Sequence, residues 1–145
     1  MSILYQNRVK RTAALLPATT TASIFTIAGG PVLVEAFFGL VVTATPGTTN
    51  TLAIKNTPSA GTPLTIGAAT SVATLEAGSH VSLLDVVGGA VVVGNAGTPP
   101  RPLHPGFVLN PGALQLITTG TAVTGTWEWY MIYTPFVGAS NVVAA

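Results

Sequence analysis

Ser79, His80 and Asp85 are the nearest approach to a catalytic set in this sequence of 145 residues. A serine nucleophile, a histidine base and an aspartate that orients the histidine together perform acyl transfer. Here no glycine-x-serine-x-glycine turn surrounds the serine, and residues this close on a strand alternate between its two faces. We therefore interpret the three residues as polar positions of a turn and a strand edge.

Metal binding has little support in the sequence. The two histidines, His80 and His104, have no third ligand type at a recognisable spacing, and His104 falls in a proline-rich segment. The chain has no cysteine, which excludes a disulfide framework, a thiolate metal site and a cysteine nucleophile. We expect no bound metal.

Phosphate binding and paired-carboxylate chemistry are also disfavoured. The glycine-rich stretch from Gly88 to Gly94 is not followed by a lysine next to serine or threonine, so it predicts a hairpin rather than a phosphate-binding loop. The four carboxylates lie on separate predicted strands, and nothing in the sequence brings two of them together. We expect a protein that is not an enzyme and has no cofactor and no small-molecule substrate.

Charge is scarce and unevenly placed. Five basic and four acidic residues make up 6% of the chain, and residues 1–11 carry a charge of +3 on a body of −2. A free monomer of this mass exposes on the order of 7,000 Å², which so few charges cannot cover in the usual way. We therefore expect other chains to cover much of the surface.

The basic start has no clear helical or strand period. We predict that residues 1–21 form an extended arm that becomes ordered only against a partner. Tyr5, Arg8, Lys10 and Arg11 are the candidate contacts with an acidic protein surface, and an inert solvated tail is the alternative. Three positive charges are too few for nucleic-acid binding. The apolar runs are interrupted by prolines, charges and paired glycines, so no membrane-spanning helix is predicted.

Residues 22–145 have the pattern of one all-β domain. Short runs rich in valine, isoleucine and threonine alternate with turns that contain glycine and proline. The pattern favours a sandwich or barrel of the jelly-roll type but does not fix the strand order. The predicted strands are 23–28, 32–44, 51–55, 64–66, 72–75, 81–87, 90–93, 107–109, 114–118 and 121–134.

The last predicted strand is rich in aromatic residues. Alternation places Trp127, Trp129, Met131 and Tyr133 on one face, and the opposite face holds Glu128, Tyr130 and Ile132. Both faces are too apolar to stand in water. We interpret Trp127, Trp129, Tyr130 and Tyr133 as residues of the core on one side and of a subunit contact on the other. A sugar-stacking platform is the alternative.

Three segments resemble the capsid decoration (auxiliary, or cement) proteins of long-tailed bacteriophages: SIFTIAGGPVLVEAFFGLVVTA, AGSHVSLLDVVGGA and TGTAVTGTWEWYMIYTPFVGASNVVAA. The resemblance covers about residues 22–145. It implies an all-β homotrimer that binds the major capsid protein on the outer surface of the head and stabilises the head. It also implies assembly in the cytoplasm of the infected cell and residence in the virion. The alternative is a carbohydrate- or receptor-binding virion module, at a head fibre or tail tip.

Overall fold

Antiparallel strands make up most of the structure. The computed structural model describes residues 6–16, 18–45, 50–83, 87–97, 106–120 and 124–145, and no helix occurs in these ranges. A helix long and apolar enough to cross a membrane is accordingly not found in this part of the chain. The predicted all-β class is confirmed.

The strands form two sheets and no closed barrel, which decides between the sandwich and the barrel. Their bounds are β1 Asn7–Leu16, β2 Thr20–Ala28, β3 Val32–Thr43, β4 Thr51–Pro58, β5 Leu64–Ser71, β6 His80–Ser82, β7 Val92–Gly94, β8 Phe107–Leu109, β9 Gly112–Thr119, β10 Thr124–Pro135 and β11 Asn141–Ala144. The six-stranded sheet has the order β1-β10-β3-β6-β7, and β8 also pairs with β3. The five-stranded sheet has the order β11-β2-β9-β4-β5.

The core lies between the two sheets and is formed by the inward-facing residues of both. Alternation along β10 is regular, since Trp127, Trp129, Met131 and Tyr133 are all buried. The indoles of Trp127 and Trp129 stack with centroids 5.9 Å apart, and Trp129 stacks on Phe37 at 5.7 Å. Phe25 of the opposite sheet meets Phe37 edge-on at 6.4 Å. This aromatic contact joins the two sheets.

The two sides of the sandwich are closed differently. Beside β5, the segment that precedes β7 forms three main-chain hydrogen bonds: Gly88 N–H to Ile66 O, Ala68 N–H to Gly89 O, and Val91 N–H to Ala68 O, at 2.9 to 3.0 Å. On the opposite side, β1 lies near β11. There the side chain Nε–H of Arg11 donates to the main-chain oxygen of Ala145 at 3.3 Å.

The expectation that the arm is ordered only against a partner is wrong for residues 7–16. These residues form β1, which pairs antiparallel with β10 of the same chain. The reason is that β10 offers a full edge of main-chain donors and acceptors, and β1 satisfies them within the protomer. Arg8, Lys10 and Arg11 therefore belong to an edge strand, where charge also opposes unwanted strand pairing.

The strand predicted over residues 72–75 is also wrong. Thr74 has a φ of 57°, in the left-handed region, and the chain turns there. Val72 and Leu75 are buried, and both are bonded to the Thr45 hydroxyl, which donates to Val72 O and accepts from Leu75 N–H at 2.8 Å each. The apolar pattern came from a buried turn rather than from a strand.

Gly39 of β3 should be sensitive to enlargement. A Cβ at this position would lie 2.6 Å from Cζ3 of Trp129, whose ring covers the glycine. We expect Gly39→Ala to lower the free energy of unfolding by about 1–3 kcal/mol, because the tightly packed indole cannot move aside freely. Gly138→Ala is the matched control, since no atom lies within 4 Å of its Cβ position. Equal denaturant midpoints for the two variants would contradict this account.

Candidate functional site

Strand pairing brings the basic segment and the aromatic strand onto one surface. In the six-stranded sheet, Lys10 lies opposite Tyr130, and Tyr130 lies opposite Phe38 on the other neighbouring strand. These side chains point away from the core because their neighbours along each strand point into it. We call this surface, on β1, β10 and β3, the outer face, and Lys10, Phe38, Glu128 and Tyr130 the outer-face cluster.

The outer-face cluster is built around the ring of Tyr130. Phe38 stacks on Tyr130 with centroids 5.0 Å apart and an interplanar angle of 15°. The ammonium of Lys10 lies 5.6 Å from the centroid of the same ring and 3.1 Å from Oε1 of Glu128. The hydroxyl of Tyr130 donates to Oε2 of Glu128 at 2.5 Å. The Glu128 carboxylate thus interacts with both the Tyr130 hydroxyl and the Lys10 ammonium. The Tyr130 ring in turn contacts both Phe38 and Lys10.

The pKa values of the three polar members shift together. The hydrogen bonds from Tyr130 and then Lys10 lower the pKa of Glu128 below its ordinary 4.5. The hydrogen bond to Glu128, and then burial, raise the pKa of Tyr130 above 10.0. The hydrogen bond to Glu128 raises the pKa of Lys10 above 10.5. The geometry therefore favours a charged lysine, a charged glutamate and a neutral tyrosine over a wide pH range.

An open depression of about 350 Å³ adjoins the cluster. Phe38, Tyr130 and Ile132 line it with apolar surface, and Arg8 and Lys10 line it with charge. Arg8 is exposed and has no ion-pair or hydrogen-bond partner among the residues that the structure describes. The depression thus combines an apolar wall with a cation that no described residue pairs.

Apolar residues continue the outer face from β10 across β3 to β8. Leu33 and Leu40 of β3 are half-buried, and Val108 of β8, which lies opposite Leu33, is 52% exposed. Glu35, within this region, accepts hydrogen bonds from Gln6 at 2.6 Å and from Thr134 at 3.1 Å. The charge on this part of the face is therefore already engaged by neighbouring groups.

The five-stranded sheet presents a different outer surface, on which uncharged polar groups surround Lys55, the residue opposite Gln115. The hydroxyls of Thr51 and Thr119 are hydrogen-bonded to each other. The Thr57 hydroxyl donates to the side-chain oxygen of Gln115 at 2.7 Å, and the side-chain N–H of Gln115 donates to the Ser23 hydroxyl at 3.4 Å. Hydroxyl groups supply here the solvation that charges supply on most proteins.

The predicted site residues separate into three groups. Trp127, Trp129 and Tyr133 lie in the core, where the Tyr133 hydroxyl accepts the main-chain N–H of Val142 at 3.2 Å. Arg8, Lys10 and Tyr130 lie on the outer face, and Arg11 lies beside β11. Tyr5 lies outside the described residues.

Phe38 is a member of the cluster that the sequence analysis did not single out. The signal was present, because two consecutive phenylalanines in a strand cannot both face the core.

The described residues do not support a catalytic serine and histidine. Ser79 is buried, and its hydroxyl has no hydrogen bond to His80, whose ring packs over Gly94. Asp85 and His104 lie outside the described residues. Within the described ranges, no group of three or more His, Asp or Glu residues is placed to hold a metal ion.

These observations define an antiparallel two-sheet protein with one hydroxyl-rich surface and one apolar, aromatic surface. Comparison with protein-family models, with curated proteins and with solved structures found no match.

Glu128→Gln should separate the cluster's electrostatics from its packing. We expect the pKa of Tyr130 to fall towards 10.0, because the phenol loses its carboxylate acceptor. The measurement is the pH dependence of phenolate absorbance, with Tyr130→Phe identifying the transition that belongs to this residue. An unchanged transition would contradict the hydrogen bond.

The same substitution should lower the thermal midpoint by about 1–4 °C at neutral pH. A lowered glutamate pKa contributes stability that is complete above 4.5 and is lost as the pH falls through the lowered value. The difference from wild type should therefore disappear in acid. Glu76→Gln, outside the cluster, is the control for loss of one negative charge, and an equal effect of both variants would refute the assignment.

Proposed function

We propose that the protein is a structural virion protein, a capsid decoration protein that binds the outer surface of a bacteriophage head as a homotrimer. It stabilises the head by bridging subunits of the major capsid protein. In this proposal it assembles in the host cytoplasm and remains in the virion. The resemblance of the three sequence segments supports the family, and the apolar outer face is the observation that carries the proposal.

The outer face supports a protein partner because much of it is apolar and the charges of Lys10, Glu128 and Glu35 are engaged by neighbouring groups. Burying apolar surface contributes about 25 cal/mol per Å² before the costs of association. The Lys10–Glu128 pair already satisfies both of its charges, so covering it leaves no new unpaired ion. Aromatic residues with satisfied polar ends are also the residues most enriched at protein interfaces. Tyr130, whose hydroxyl donates to Glu128, meets that description.

We assign the two halves of the outer face to different partners. The half on β3 and β8 contains Leu33, Leu40 and Val108 and has an apolar character suited to a permanent contact between subunits. The half along β1 carries Arg8 and Lys10 and suits the capsid. Tyr130 lies between the two halves. Three β1 strands on one trimer would bind the head at high effective concentration once the first is bound.

Sugar stacking through the tryptophans has no support from their positions. Trp127 is 1% exposed and Trp129 is 0% exposed. Phe38 stacks on the Tyr130 ring and the ammonium of Lys10 lies 5.6 Å from its centroid, which leaves less of the ring for a sugar to stack on. We therefore do not propose the carbohydrate-binding alternative.

Fluorescence quenching tests the placement of both indoles. We expect acrylamide to quench the emission of the native protein much less than that of the urea-unfolded chain, because the core excludes the quencher. Quenching of the native protein as steep as that of the unfolded chain would contradict the buried stack and would reopen the sugar-binding alternative.

Val108→Glu tests the subunit contact. Wild type should have three times the 14.6 kDa mass of one chain by light scattering after size exclusion. Val108→Glu should be monomeric at micromolar concentration, because a carboxylate would be buried without a partner in the contact. Val143→Glu is the matched control, since Val143 is 48% exposed on β11 of the other sheet. It should remain trimeric.

Head binding tests the proposal as a whole. Wild type and Val143→Glu should coat heads assembled without the protein and raise the temperature at which those heads rupture. Val108→Glu should coat them weakly, because a monomer loses the avidity of three sites. A monomeric wild type, or heads that neither bind it nor gain stability, would overturn the proposed function.

A further inference from the structure

We infer that the depression beside Arg8 binds an extended segment of the capsid protein that carries a bulky apolar side chain next to a carboxylate. This inference rests on the proposed function, since it takes the capsid protein as the partner. It goes further by naming the chemistry that the outer face recognises and the residues that recognise it.

The apolar part of the recognition comes from the shape of the depression. Its volume of about 350 Å³ accommodates a large side chain, and Phe38, Tyr130 and Ile132 supply apolar walls. Phe38 and Tyr130 are held by their mutual stacking, and Tyr130 is also fixed by Glu128. Walls that are already ordered lose little conformational freedom when a partner binds, which favours binding.

The carboxylate part of the recognition comes from the distribution of charge along β1. Lys10 is paired with Glu128, and Arg11 donates to the main-chain oxygen of Ala145. Arg8 is the remaining cation of this strand, and no described residue pairs with it. A planar guanidinium beside an apolar wall is well suited to bind a carboxylate with two hydrogen bonds.

The same arrangement sets the orientation of the bound segment. The ammonium of Lys10 is already paired with the Glu128 carboxylate at 3.1 Å, whereas Arg8, opposite Ile132, has no partner among the described residues. The partner's carboxylate is therefore directed to Arg8, and its apolar side chain to the wall formed by Phe38 and Ile132. A phosphate backbone fits less well, because binding it requires several free cations, and among the described residues that line the depression only Arg8 is a cation without a partner.

Two small probes test this inference on the full chain. N-acetyl-L-tryptophan carries a bulky apolar side chain and a carboxylate, and N-acetyl-L-tryptophanamide differs from it only in lacking the charge. Each is titrated into ¹⁵N-labelled protein while the amide resonances are followed. The variants are Arg8→Gln and the control Lys55→Gln, which removes a cation from the other sheet.

The acid probe should shift the amides of Arg8, Lys10 and Ile132 in a saturable way. The amide probe, or the Arg8→Gln substitution, should weaken binding about five- to tenfold, and Lys55→Gln should leave it unchanged. Equal binding of the two probes, equal binding to Arg8→Gln, or shifts confined to another surface would each overturn the inference.

Head occupancy separates this inference from the proposed function. Arg8→Gln should remain trimeric and should coat heads with reduced affinity, whereas Lys55→Gln should coat them like wild type. If the probes fail while wild-type trimers still coat heads, only the inference is overturned. If wild type is monomeric and does not coat heads, the proposed function itself is overturned.

Discussion

The position of β10 is the constraint on which the rest of the structure depends. This strand is paired along both edges, with β1 and with β3, and its inward residues form the centre of the core. Because side chains alternate, the same twelve residues that bury two indoles must also present Glu128, Tyr130 and Ile132 outward. Core and surface are therefore specified together: a one-residue slip in register would expose the indoles and bury a carboxylate.

The two outer surfaces of this charge-poor protein differ in the groups that they expose. On the five-stranded sheet, threonine and serine hydroxyls and one glutamine amide form hydrogen bonds with each other, so that surface is compatible with exposure. On the six-stranded sheet, the charges are mostly engaged by their neighbours and the remaining surface is apolar. A protein with these two faces has one side suited to solvent and one suited to a partner. This asymmetry, more than the low charge itself, supports a function in assembly.

The sequence predicted the strand class, the two faces of β10 and most of the long strands, because these follow from a period of two over many residues. It failed at β1, where charge and the lack of a clear period concealed a strand that is stabilised by pairing rather than by burial. It also failed at residues 72–75, where buried residues of a turn imitate a short strand. The outer-face cluster was not predictable, because register, and not composition, places Lys10 and Phe38 on either side of Tyr130.

The two sides of the sandwich differ in the hydrogen bonds that hold the sheets together. Beside β5, main-chain hydrogen bonds join the segment before β7 to the opposite sheet, so separation of the sheets there breaks several bonds at once. On the opposite side, the described links between the sheets are side-chain hydrogen bonds, from Arg11 to the main-chain oxygen of Ala145 and from Val142 N–H to the Tyr133 hydroxyl. Opening on the β1 side breaks fewer of the described hydrogen bonds, so we expect amide hydrogens to exchange with solvent sooner there. The margin with fewer main-chain hydrogen bonds between the sheets is the one that carries Arg8, the margin that we propose meets the capsid.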